Sequence, residues 1–311
     1  MTRKVRIIVI SVLAALVVLG CVLGIRHYMK SKITFAVSDT LPDGQGRDAI
    51  VILLGGQSNA SGCSLDAYLR RNVTEEKYAE YQNGYDNVYI NYLSGLNMSN
   101  GFVKCATAQG EAGGYFGPEL GMAEKLHEMY PDETIFIIKC AWGGTNLYSQ
   151  WLSPSSKGKV GSLYKQFVAY VETSLKYLDS KNYNIKIEGM CWMQGESDAF
   201  QVEAASNYGT HLENFIEDIR RKFSKYAADD GIAFVDAYIA ENPAYWVYYE
   251  MVNNGKREVA ERSPLNVVVD TSMLVCTGEP VENPDIPHYD SLSEIKLGYM
   301  FAEQVAAFIA E

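Results

Sequence analysis

The chain is poor in basic residues and in histidine. Its 311 residues include 27 Lys and Arg against 38 Asp and Glu, which gives a net charge of −11, and only four histidines. Because binding of phosphate groups requires clustered cations, this balance argues against a nucleic acid or another polyanion as a partner. Neither a phosphate-binding loop nor a dinucleotide-binding fingerprint occurs in the sequence, which argues against the nucleotide-dependent enzymes that use them.

The six cysteines lack the paired spacing that is typical of metal sites. Cys140 and Cys191 end apolar runs, so we expect both to be buried thiols. A disulfide bond among Cys63, Cys105 and Cys276 stays open, because an exported domain permits disulfides but the spacing defines no pairing. The sequence therefore predicts no metal site, and we expect no cofactor.

A long apolar run without charge lies near the N-terminus, at residues 7–25. Its length of about 19 residues is enough to cross the hydrocarbon core of a bilayer. Length and the basic start favour an uncleaved signal-anchor with a cytoplasmic N-terminus and the rest of the chain exported. A cleaved signal peptide and a lipoprotein signal ending at Cys21 stay open as alternatives. Basic residues flank the run on both sides: Arg3, Lys4, Arg6, Arg26, Lys30 and Lys32.

This pattern divides the chain into four segments. They are a short cytoplasmic N-terminus (1–6), the transmembrane segment (7–25), a turn-rich tether (26–47) and one large domain (48–311). The last segment is long enough for a single α/β domain with a sizeable core. Apolar strand-like runs alternate in it with helical stretches, which predicts a doubly wound parallel sheet. We therefore expect a single-pass protein of the cell membrane with an extracytoplasmic domain.

The first apolar run of this domain is followed at once by a candidate nucleophile. Residues 49–54 are apolar and partly β-branched, and Gly55-Gly56-Gln57-Ser58-Asn59 comes next. A serine at the end of a buried strand lies at the rim of the sheet, where open α/β folds bind ligands. Its hydroxyl needs a base to act as a nucleophile. A solvent-facing turn serine is the alternative for this motif alone.

One of the four histidines has the context of a catalytic base. His27 lies beside the apolar N-terminal run, and His127 and His211 lie in polar helical stretches, where we expect surface positions. His288 lies in a proline-punctuated loop, three residues after Asp285. A carboxylate at this distance can fix the imidazole tautomer and stabilise the imidazolium that forms during catalysis.

The helix after this loop is predicted over residues 292–310. Ser291 and Glu294 have the spacing of a capping box, which favours the start of a helix. Apolar residues recur along the segment with a wide core-facing side. We therefore expect the His288 loop to be anchored on a rigid element.

Two further apolar runs end in loops that are rich in glycine and amides. Residues 134–141 lead into Trp-Gly-Gly-Thr-Asn-Leu (142–147), and residues 187–193 lead into Gln-Gly-Glu-Ser-Asp (194–198). Glycines let backbone N–H groups approach a ligand closely, and a side-chain amide adds another donor. Ester hydrolysis needs such donors around the developing oxyanion. Tight structural turns are the alternative for each loop.

The four blocks together resemble the SGNH-hydrolase superfamily. Gly-Gln-Ser-Asn, Trp-Gly-Gly-Thr-Asn-Leu, Trp-Met-Gln-Gly-Glu-Ser-Asp and Asp-x-x-His-Tyr-Asp-Ser occur in the family's order over about residues 48–311. Within it, the sequence is similar to the sialate O-acetylesterase and acetylxylan esterase branch (carbohydrate esterase family six). The resemblance implies a flavodoxin-like three-layer α/β/α sandwich with a parallel sheet. It also implies a serine esterase that removes O-acetyl groups from carbohydrates through an acetyl-enzyme intermediate.

The resemblance also implies a role for each matching residue. Ser58 would be the nucleophile, His288 the general base and Asp285 its orienting partner. The oxyanion donors would be the backbone N–H groups of Ser58 and Gly144, with Gly143 as the nearby alternative, and the side-chain amide of Gln194. Residues expected to support these groups are Asn59, Gly143, Glu196 and Asp198, the last with capping of the following helix as its alternative role.

Two other functions stay open, namely a catalytically silent cell-surface carbohydrate-binding protein on the same fold and an SGNH esterase for another acyl ester. Sialic acid, xylan, peptidoglycan and capsule polysaccharide all stay open as carriers of the acetyl group. We expect specificity to reside in loops such as 63–112 and 239–284. Aromatic residues near the motifs are hypothesised to stack on a sugar ring, with Trp151 the most exposed: Tyr115, Trp142, Tyr148, Trp151 and Trp192.

Overall fold

Strands and helices alternate along the chain, as predicted from the sequence. The structure, a computed structural model, describes residues 34–276, 279, 282 and 285–309. The strands among them are β1 (Asp48–Gly56), β2 (Ser64–Leu65), β3 (Val88–Ser94), β4 (Asn97–Met98), β5 (Val103–Lys104), β6 (Tyr115–Phe116), β7 (Thr134–Ala141), β8 (Asn184–Met193), β9 (Ala233–Ala237) and β10 (Asn266–Val269). The helices are α1 (Ser58–Ser61), α2 (Asp66–Asn72), α3 (Glu75–Asn83), α4 (Glu119–Met129), α5 (Ser162–Ser180), α6 (Val202–Phe223), α7 (Tyr249–Ala260) and α8 (Ser291–Ala306).

The main sheet is largely parallel, with β1 at its centre. Its strand order is β10-β9-β8-β1-β7-β3-β4, and β5 pairs with β3. The strands from β10 to β3 run parallel to their neighbours, while β4 and β5 pair with β3 in the antiparallel sense. Because the parallel strands end at one edge, the loops that follow β1, β7 and β8 meet there.

Helices cover both faces of this sheet. Consecutive strand residues point to opposite faces, and two glycines mark those faces. A Cβ at Gly189 of β8 would lie 3.1 Å from Val305 of α8. A Cβ at Gly55 of β1 would instead lie 3.1 Å from Phe167 of α5 and 3.2 Å from the next residue of β8, Met190. The architecture is therefore an α/β fold with a helical layer on each side of the sheet.

Strand β3 lies in the stretch 63–112, for which the sequence motifs give no prediction. Its apolar pattern is interrupted by Asn91, which is nevertheless buried. The Asn91 amide donates to Ser174 Oγ (2.9 Å), and its Oδ1 accepts from the Tyr170 hydroxyl (2.8 Å). Both polar ends are thus satisfied, as a buried amide requires. Because Asn91 interrupts the apolar pattern, the strand could not be recognised from the sequence.

The described part of the expected tether contacts the large domain. Leu41 is buried, and the N–H groups of Thr40 and Leu41 both donate to the Tyr177 hydroxyl at 3.0 Å. From Phe35 onward the chain belongs to the same compact unit as the rest of the domain. The folded domain therefore begins before residue 48, and the second half of the expected tether is part of it.

The predicted transmembrane segment, residues 7–25, lies outside the described residues, as does His27. In the part of the chain that the structure does describe, no helix has both the length and the apolar character needed to span a bilayer. The assignment of residues 7–25 thus stays a prediction from the sequence.

Helix α8 begins with a different cap from the predicted one. Its N-cap is Asp290, whose carboxylate accepts the N–H of Ser293 at 2.7 Å. Ser291 Oγ instead donates to Glu279 at 2.8 Å. The Glu294 side chain is buried, burial raises its pKa, and its carboxylate oxygens have no hydrogen-bond partner among the described residues. The predicted capping box of Ser291 and Glu294 is therefore wrong, although the helix and its anchoring of the His288 loop are present.

Candidate active site

Ser58 is positioned by a sharp turn at the end of β1. Gly56 has a φ of +139°, and a Cβ there would lie 2.0 Å from the carbonyl oxygen of Met193. Only glycine fits so close an approach of two backbones. The N–H of Gln57 then donates to the same Met193 carbonyl at 2.9 Å. Ser58 follows as the first residue of α1, where its backbone N–H has no acceptor within the helix.

His288 and Asp285 form the predicted pair. Asp285 Oδ2 lies 2.7 Å from His288 Nδ1. With the proton of the neutral ring on Nδ1, the lone pair is on Nε2, and this nitrogen can act as a base. Ser58, His288 and Asp285 all line one cavity of about 540 Å³. The structure thus places in one cavity three residues from opposite ends of the domain sequence, since Ser58 and His288 are 230 positions apart (288 − 58).

Asn59 ties the nucleophile segment to two other loops. Its Nδ2 donates to Glu196 Oε1 at 2.9 Å and to the carbonyl of Pro287 at 3.3 Å. Its Oδ1 accepts the N–H of Tyr289 at 3.2 Å. The residues on either side of His288 are therefore bonded to the residue next to Ser58. Asn59 and Glu196 have the supporting positions expected from the sequence.

Gln194 has a different environment from the one predicted for an oxyanion donor. It is fully buried and is absent from the lining of the cavity. Its Nε2 donates to Asp198 Oδ2 (2.7 Å), the Thr145 carbonyl (2.9 Å) and Gln57 Oε1 (3.2 Å). Its Oε1 accepts the hydroxyl of Tyr208 at 3.0 Å. The amide is thus engaged on every side by the protein, and the role of Gln194 as a donor to the oxyanion stays a prediction from the sequence.

Gln57 is the amide that does line the cavity, and it was not among the predicted donors. Its Oε1 accepts from Gln194 Nε2 (3.2 Å) and from the N–H groups of Ser197 (3.2 Å) and Gly195 (3.4 Å). Three donors therefore fix the orientation of this side chain. The signal that could have found it is its position directly before Ser58.

The glycine loop after β7 contributes backbone to the same cavity. Gly143 and Gly144 both line it, and Gly144 has a φ of +67°. The rest of the loop is held by Asp198, whose carboxylate accepts the N–H groups of Leu147 (2.8 Å) and Tyr148 (3.0 Å). Asp198 therefore braces the glycine loop from the neighbouring loop, a contact that the sequence did not predict.

Glu111 is a cavity residue that the sequence motifs did not indicate. Its Oε2 accepts from Ser61 Oγ at 2.9 Å and from Cys63 Sγ at 3.3 Å. A Cβ at Gly143 would lie 2.7 Å from the same oxygen, so the carboxylate lies against the glycine loop. The signal that could have found it is an acidic residue within the glycine-rich stretch 109–114.

Two groups in the cavity are held toward their neutral forms. Cys63 lines the cavity, and burial together with the Glu111 carboxylate raises the pKa of its thiol. Because the thiolate is the reactive form, Cys63 is a poor rival to Ser58 as a nucleophile. Burial likewise raises the pKa of Glu196. Cys63, Cys105 and Cys276 are free thiols, and Cys140 and Cys191 are buried as expected.

The aromatic residues of the cavity are mostly not the predicted ones. Trp151 and Trp192 are fully buried, and the two rings pack edge to face at 5.2 Å. The expectation of an exposed Trp151 is therefore wrong. Phe200 and Tyr245 line the cavity instead, with 52% and 40% of their surface exposed and ring centroids 6.4 Å apart. Tyr115 also lines it, as hypothesised from the sequence.

The two other described histidines are absent from the lining of this cavity. His127 is partly buried, with Nδ1 2.7 Å from Asn87 Oδ1 and its ring stacked on Tyr85 at 4.7 Å. His211 is partly buried as well, and burial lowers its pKa. Neither is the solvated surface residue that was expected, and His288 is the histidine at the site.

The chain is similar to known proteins in both sequence and fold. Residues 48–307 match the family described as carbohydrate esterase, sialic acid-specific acetylesterase. The chain is 29% identical over 146 residues to the probable 9-O-acetyl-N-acetylneuraminic acid deacetylase of Escherichia coli (strain K12). That match covers 43% of this chain and 43% of the relative, so the chain spans less than half the length of this curated relative.

Two solved structures share the fold. The crystal structure of NanS superposes with a TM-score of 0.63 at 17% identity, over 86% of this chain and 98% of that chain. An X-ray structure of a protein from Arabidopsis thaliana superposes with a TM-score of 0.61 at 19% identity, over 84% of this chain and 100% of that chain. At these identities the likeness establishes the SGNH-like α/β fold.

Replacement of Asn59 by alanine is expected to loosen the site. Asn59→Ala leaves the N–H of Tyr289 and the Glu196 carboxylate without their partner, which costs about 1–3 kcal/mol of unfolding free energy. Urea unfolding measures this loss. Asn207→Ala is the matched control, because Asn207 is exposed and its amide bonds within its own helix. Equal stability of the two variants would contradict the role of Asn59 as a link between loops.

Proposed function

Because the chain belongs to the carbohydrate esterase family described as sialic acid-specific acetylesterases, we propose that it is a serine esterase that removes O-acetyl groups from a carbohydrate. The observation that carries this proposal is the convergence of Ser58 with the His288–Asp285 pair on one cavity. A nucleophile, a base and the group that orients the base are the set that acyl transfer requires.

The proposed reaction has two halves. In the first, Ser58 Oγ attacks the acetyl carbonyl while His288 Nε2 takes the hydroxyl proton, and the sugar oxygen leaves with that proton. In the second, His288 Nε2 takes a proton from a water that attacks the acetyl-enzyme, the bond between the acyl carbon and Ser58 Oγ breaks, and Oγ takes that proton as acetate is released. Asp285 keeps the proton of the neutral ring on Nδ1 and stabilises the imidazolium in both halves.

The oxyanion that forms in each half needs donors already in place. We assign the backbone N–H groups of Ser58 and Gly144 to this task, as predicted from the sequence. The side-chain amide on the cavity wall is that of Gln57, whose Oε1 is taken up by three donors. We therefore place Gln57 in the role first assigned to Gln194, and Gln194 behind it as its support.

A carbohydrate substrate fits the wall of the cavity. Phe200 and Tyr245 present partly exposed rings in the cavity that Ser58 also lines. Aromatic faces are apolar surfaces that suit the C–H face of a sugar ring. The E. coli relative is named for an acetylated sialic acid, which makes O-acetylated sialic acid the first substrate to test.

We also propose that the enzyme is held at the cell membrane by residues 7–25, with its domain outside the cytoplasm. The uncharged apolar run and the basic residues before it support this topology. The excess of acidic residues in the chain argues against a nucleic acid partner. Fractionation of cells that express the full chain tests the anchor: we expect full-length protein in the membrane fraction, and recovery of it as soluble protein would contradict the anchor.

Loss of the Ser58 hydroxyl is expected to abolish acetate release. Ser58→Ala should lower kcat for a small activated acetyl ester and for acetylated glycans by about 10⁴-fold or more, because it removes the nucleophile. Ser197→Ala is the matched control, since Ser197 also lines the cavity and the substitution keeps its backbone N–H, the group that bonds Gln57. Undiminished turnover in Ser58→Ala would exclude the assignment, and no turnover by the wild type would favour the silent binding protein.

The aromatic side chains of Phe200 and Tyr245 are expected to contribute to the binding of the sugar. Phe200→Ala and Tyr245→Ala should each raise KM for an acetylated oligosaccharide by about threefold to tenfold, because each removes a stacking face. KM for p-nitrophenyl acetate, which has no sugar, should change much less. Tyr148→Ala is the control, because Tyr148 is absent from the cavity lining and its hydroxyl bonds Glu203. Equal changes for both substrates would argue against a sugar platform.

A further inference from the structure

The Glu111 side chain lines the cavity but takes no part in the reaction proposed above. Resting on that proposed esterase function, we propose that Glu111 recognises the sugar. Its Oε1 accepts a hydrogen bond from the free hydroxyl on the carbon next to the one that carries the acetyl group. Glu111 is thus a specificity-determining residue of the site, for charged and neutral sugars alike.

The two carboxylate oxygens of Glu111 have different surroundings. Oε2 accepts from Ser61 Oγ at 2.9 Å and from Cys63 Sγ at 3.3 Å. Oε1 accepts no hydrogen bond from any residue that the structure describes. It is also not one of the fully buried side-chain oxygens that lack a partner, so a ligand in the cavity can reach it. Oε1 is therefore an open acceptor on the cavity wall.

The other carboxylates that line the cavity are engaged in different contacts. Asp285 Oδ2 lies 2.7 Å from His288 Nδ1, where it orients the proposed base. Glu196 Oε1 accepts from Asn59 Nδ2 at 2.9 Å, and Glu196 Oε2 is fully buried. The open oxygen of Glu111 is thus the acceptor that these contacts leave available to a hydroxyl of the substrate.

Glu111 lies against the loop that is proposed to hold the acetyl group. A Cβ at Gly143 would lie 2.7 Å from Glu111 Oε2 and 2.8 Å from Oε1, so both oxygens approach the backbone of this glycine. The next residue, Gly144, carries one of the N–H groups assigned to the oxyanion. When the acetyl carbonyl is bound there, the sugar carbon beside the ester is the part of the ring closest to the acetyl group. A hydroxyl on that carbon therefore falls on the Glu111 side of the cavity.

The position of Glu111 is fixed by the interior of the domain. Its N–H donates to the carbonyl of Gly62 at 2.9 Å, and the buried Lys139 donates from Nζ to the carbonyl of Gln109 at 3.2 Å. A Cβ at Gly95 would lie 3.0 Å from Glu111 Cγ, so the side chain is confined there as well. An acceptor held in this way loses little conformational freedom when a ligand binds, which favours recognition.

The hydrogen bond proposed for Glu111 discriminates mainly against sugars that lack the hydroxyl. A hydroxyl that donates to a carboxylate makes a charge-assisted hydrogen bond, which is stronger than one between neutral groups. A sugar without that hydroxyl displaces water from Glu111 and gives no donor in return. Because an unpaired polar group in a closed site is costly, a site built to bond a hydroxyl rejects the analogue that lacks it.

The test compares two substrates that differ in one hydroxyl. 9-O-Acetyl-N-acetylneuraminic acid and its 8-deoxy analogue are used, with the full chain as enzyme. For the wild type we expect kcat/KM to be about tenfold to hundredfold lower for the deoxy analogue, because the hydrogen bond to a charged acceptor is lost. Glu111→Ala should bring the ratio of the two kcat/KM values close to one, mainly through slower hydrolysis of the compound that has the hydroxyl.

Two further variants separate recognition from a structural role. Glu111→Gln keeps the size of the side chain but offers a neutral acceptor, so the ratio should fall by several-fold. Glu128→Ala removes a carboxylate from an exposed position of α4 and should leave the ratio as in the wild type. If Glu111 served only the structure, its loss would slow both substrates alike. A ratio that Glu111→Ala leaves unchanged would therefore overturn the proposal, and so would equal rates for both substrates in the wild type.

Failure of this proposal can be told apart from failure of the esterase function. If the wild type hydrolyses p-nitrophenyl acetate but neither sialic acid compound, methyl 2-O-acetyl-β-D-xylopyranoside and its 3-deoxy analogue replace them with the same expectations. If no ester is hydrolysed in a Ser58-dependent way, the esterase function is wrong. Calorimetric binding of each pair to Ser58→Ala then still decides the role of Glu111. Tighter binding of the compound with the hydroxyl would support it, and equal affinities would overturn it.

Discussion

The arrangement of the site depends on one fully buried amide, the side chain of Gln194. Its Nε2 donates to Gln57 after β1, to Thr145 after β7 and to Asp198 after β8. Its Oε1 accepts the hydroxyl of Tyr208 on α6. A buried amide left without partners costs about 1–3 kcal/mol, so its burial is favourable only while all three loops keep their positions. One side chain therefore couples the nucleophile turn, the glycine loop and the acidic loop into a single unit.

The loop that carries the base is attached to this unit by a second amide. Asn59 bonds the backbone on both sides of His288, through the carbonyl of Pro287 and the N–H of Tyr289. Ser64 Oγ donates to the Tyr289 carbonyl at 2.8 Å and fixes the same segment from another side. Because the residues next to Ser58 and His288 are held by buried hydrogen bonds, the proposed nucleophile and base need little reorganisation when charge develops on the substrate, which is the condition for electrostatic catalysis.

Functional residues could be predicted from the sequence where a short motif is enough to indicate their chemistry. Ser58 directly follows a buried strand, and Asp285 lies three residues before His288. The roles of Ser58 and His288 could therefore be proposed from the sequence alone. Gln194 could not be placed in the same way, because an amide can serve an oxyanion or a neighbouring amide and only its surroundings decide. Glu111 lies outside the four motifs, and it reaches the cavity because its side chain packs against Gly143. Strand β3 was hidden for a related reason, since the buried Asn91 breaks the apolar pattern and is compensated by distant partners.

The residues proposed to carry out the reaction and the residues proposed to contact the sugar come from different segments of the chain. The proposed reacting groups come from the turn after β1, the glycine loop after β7 and the loop before α8, and buried amides bond these segments to one another. The walls come from elsewhere: Glu111 and Tyr115 lie in the stretch before α4, and Tyr245 lies between β9 and α7. Among the described residues, Tyr115 and Tyr245 make no side-chain hydrogen bond to the His288 loop, whereas the Glu111 carboxylate accepts from Ser61 Oγ, which also lies 3.3 Å from the Ser58 carbonyl oxygen. A change at Tyr115 or Tyr245 can therefore alter sugar binding while the hydrogen bonds that hold the Ser58 and His288 segments are kept.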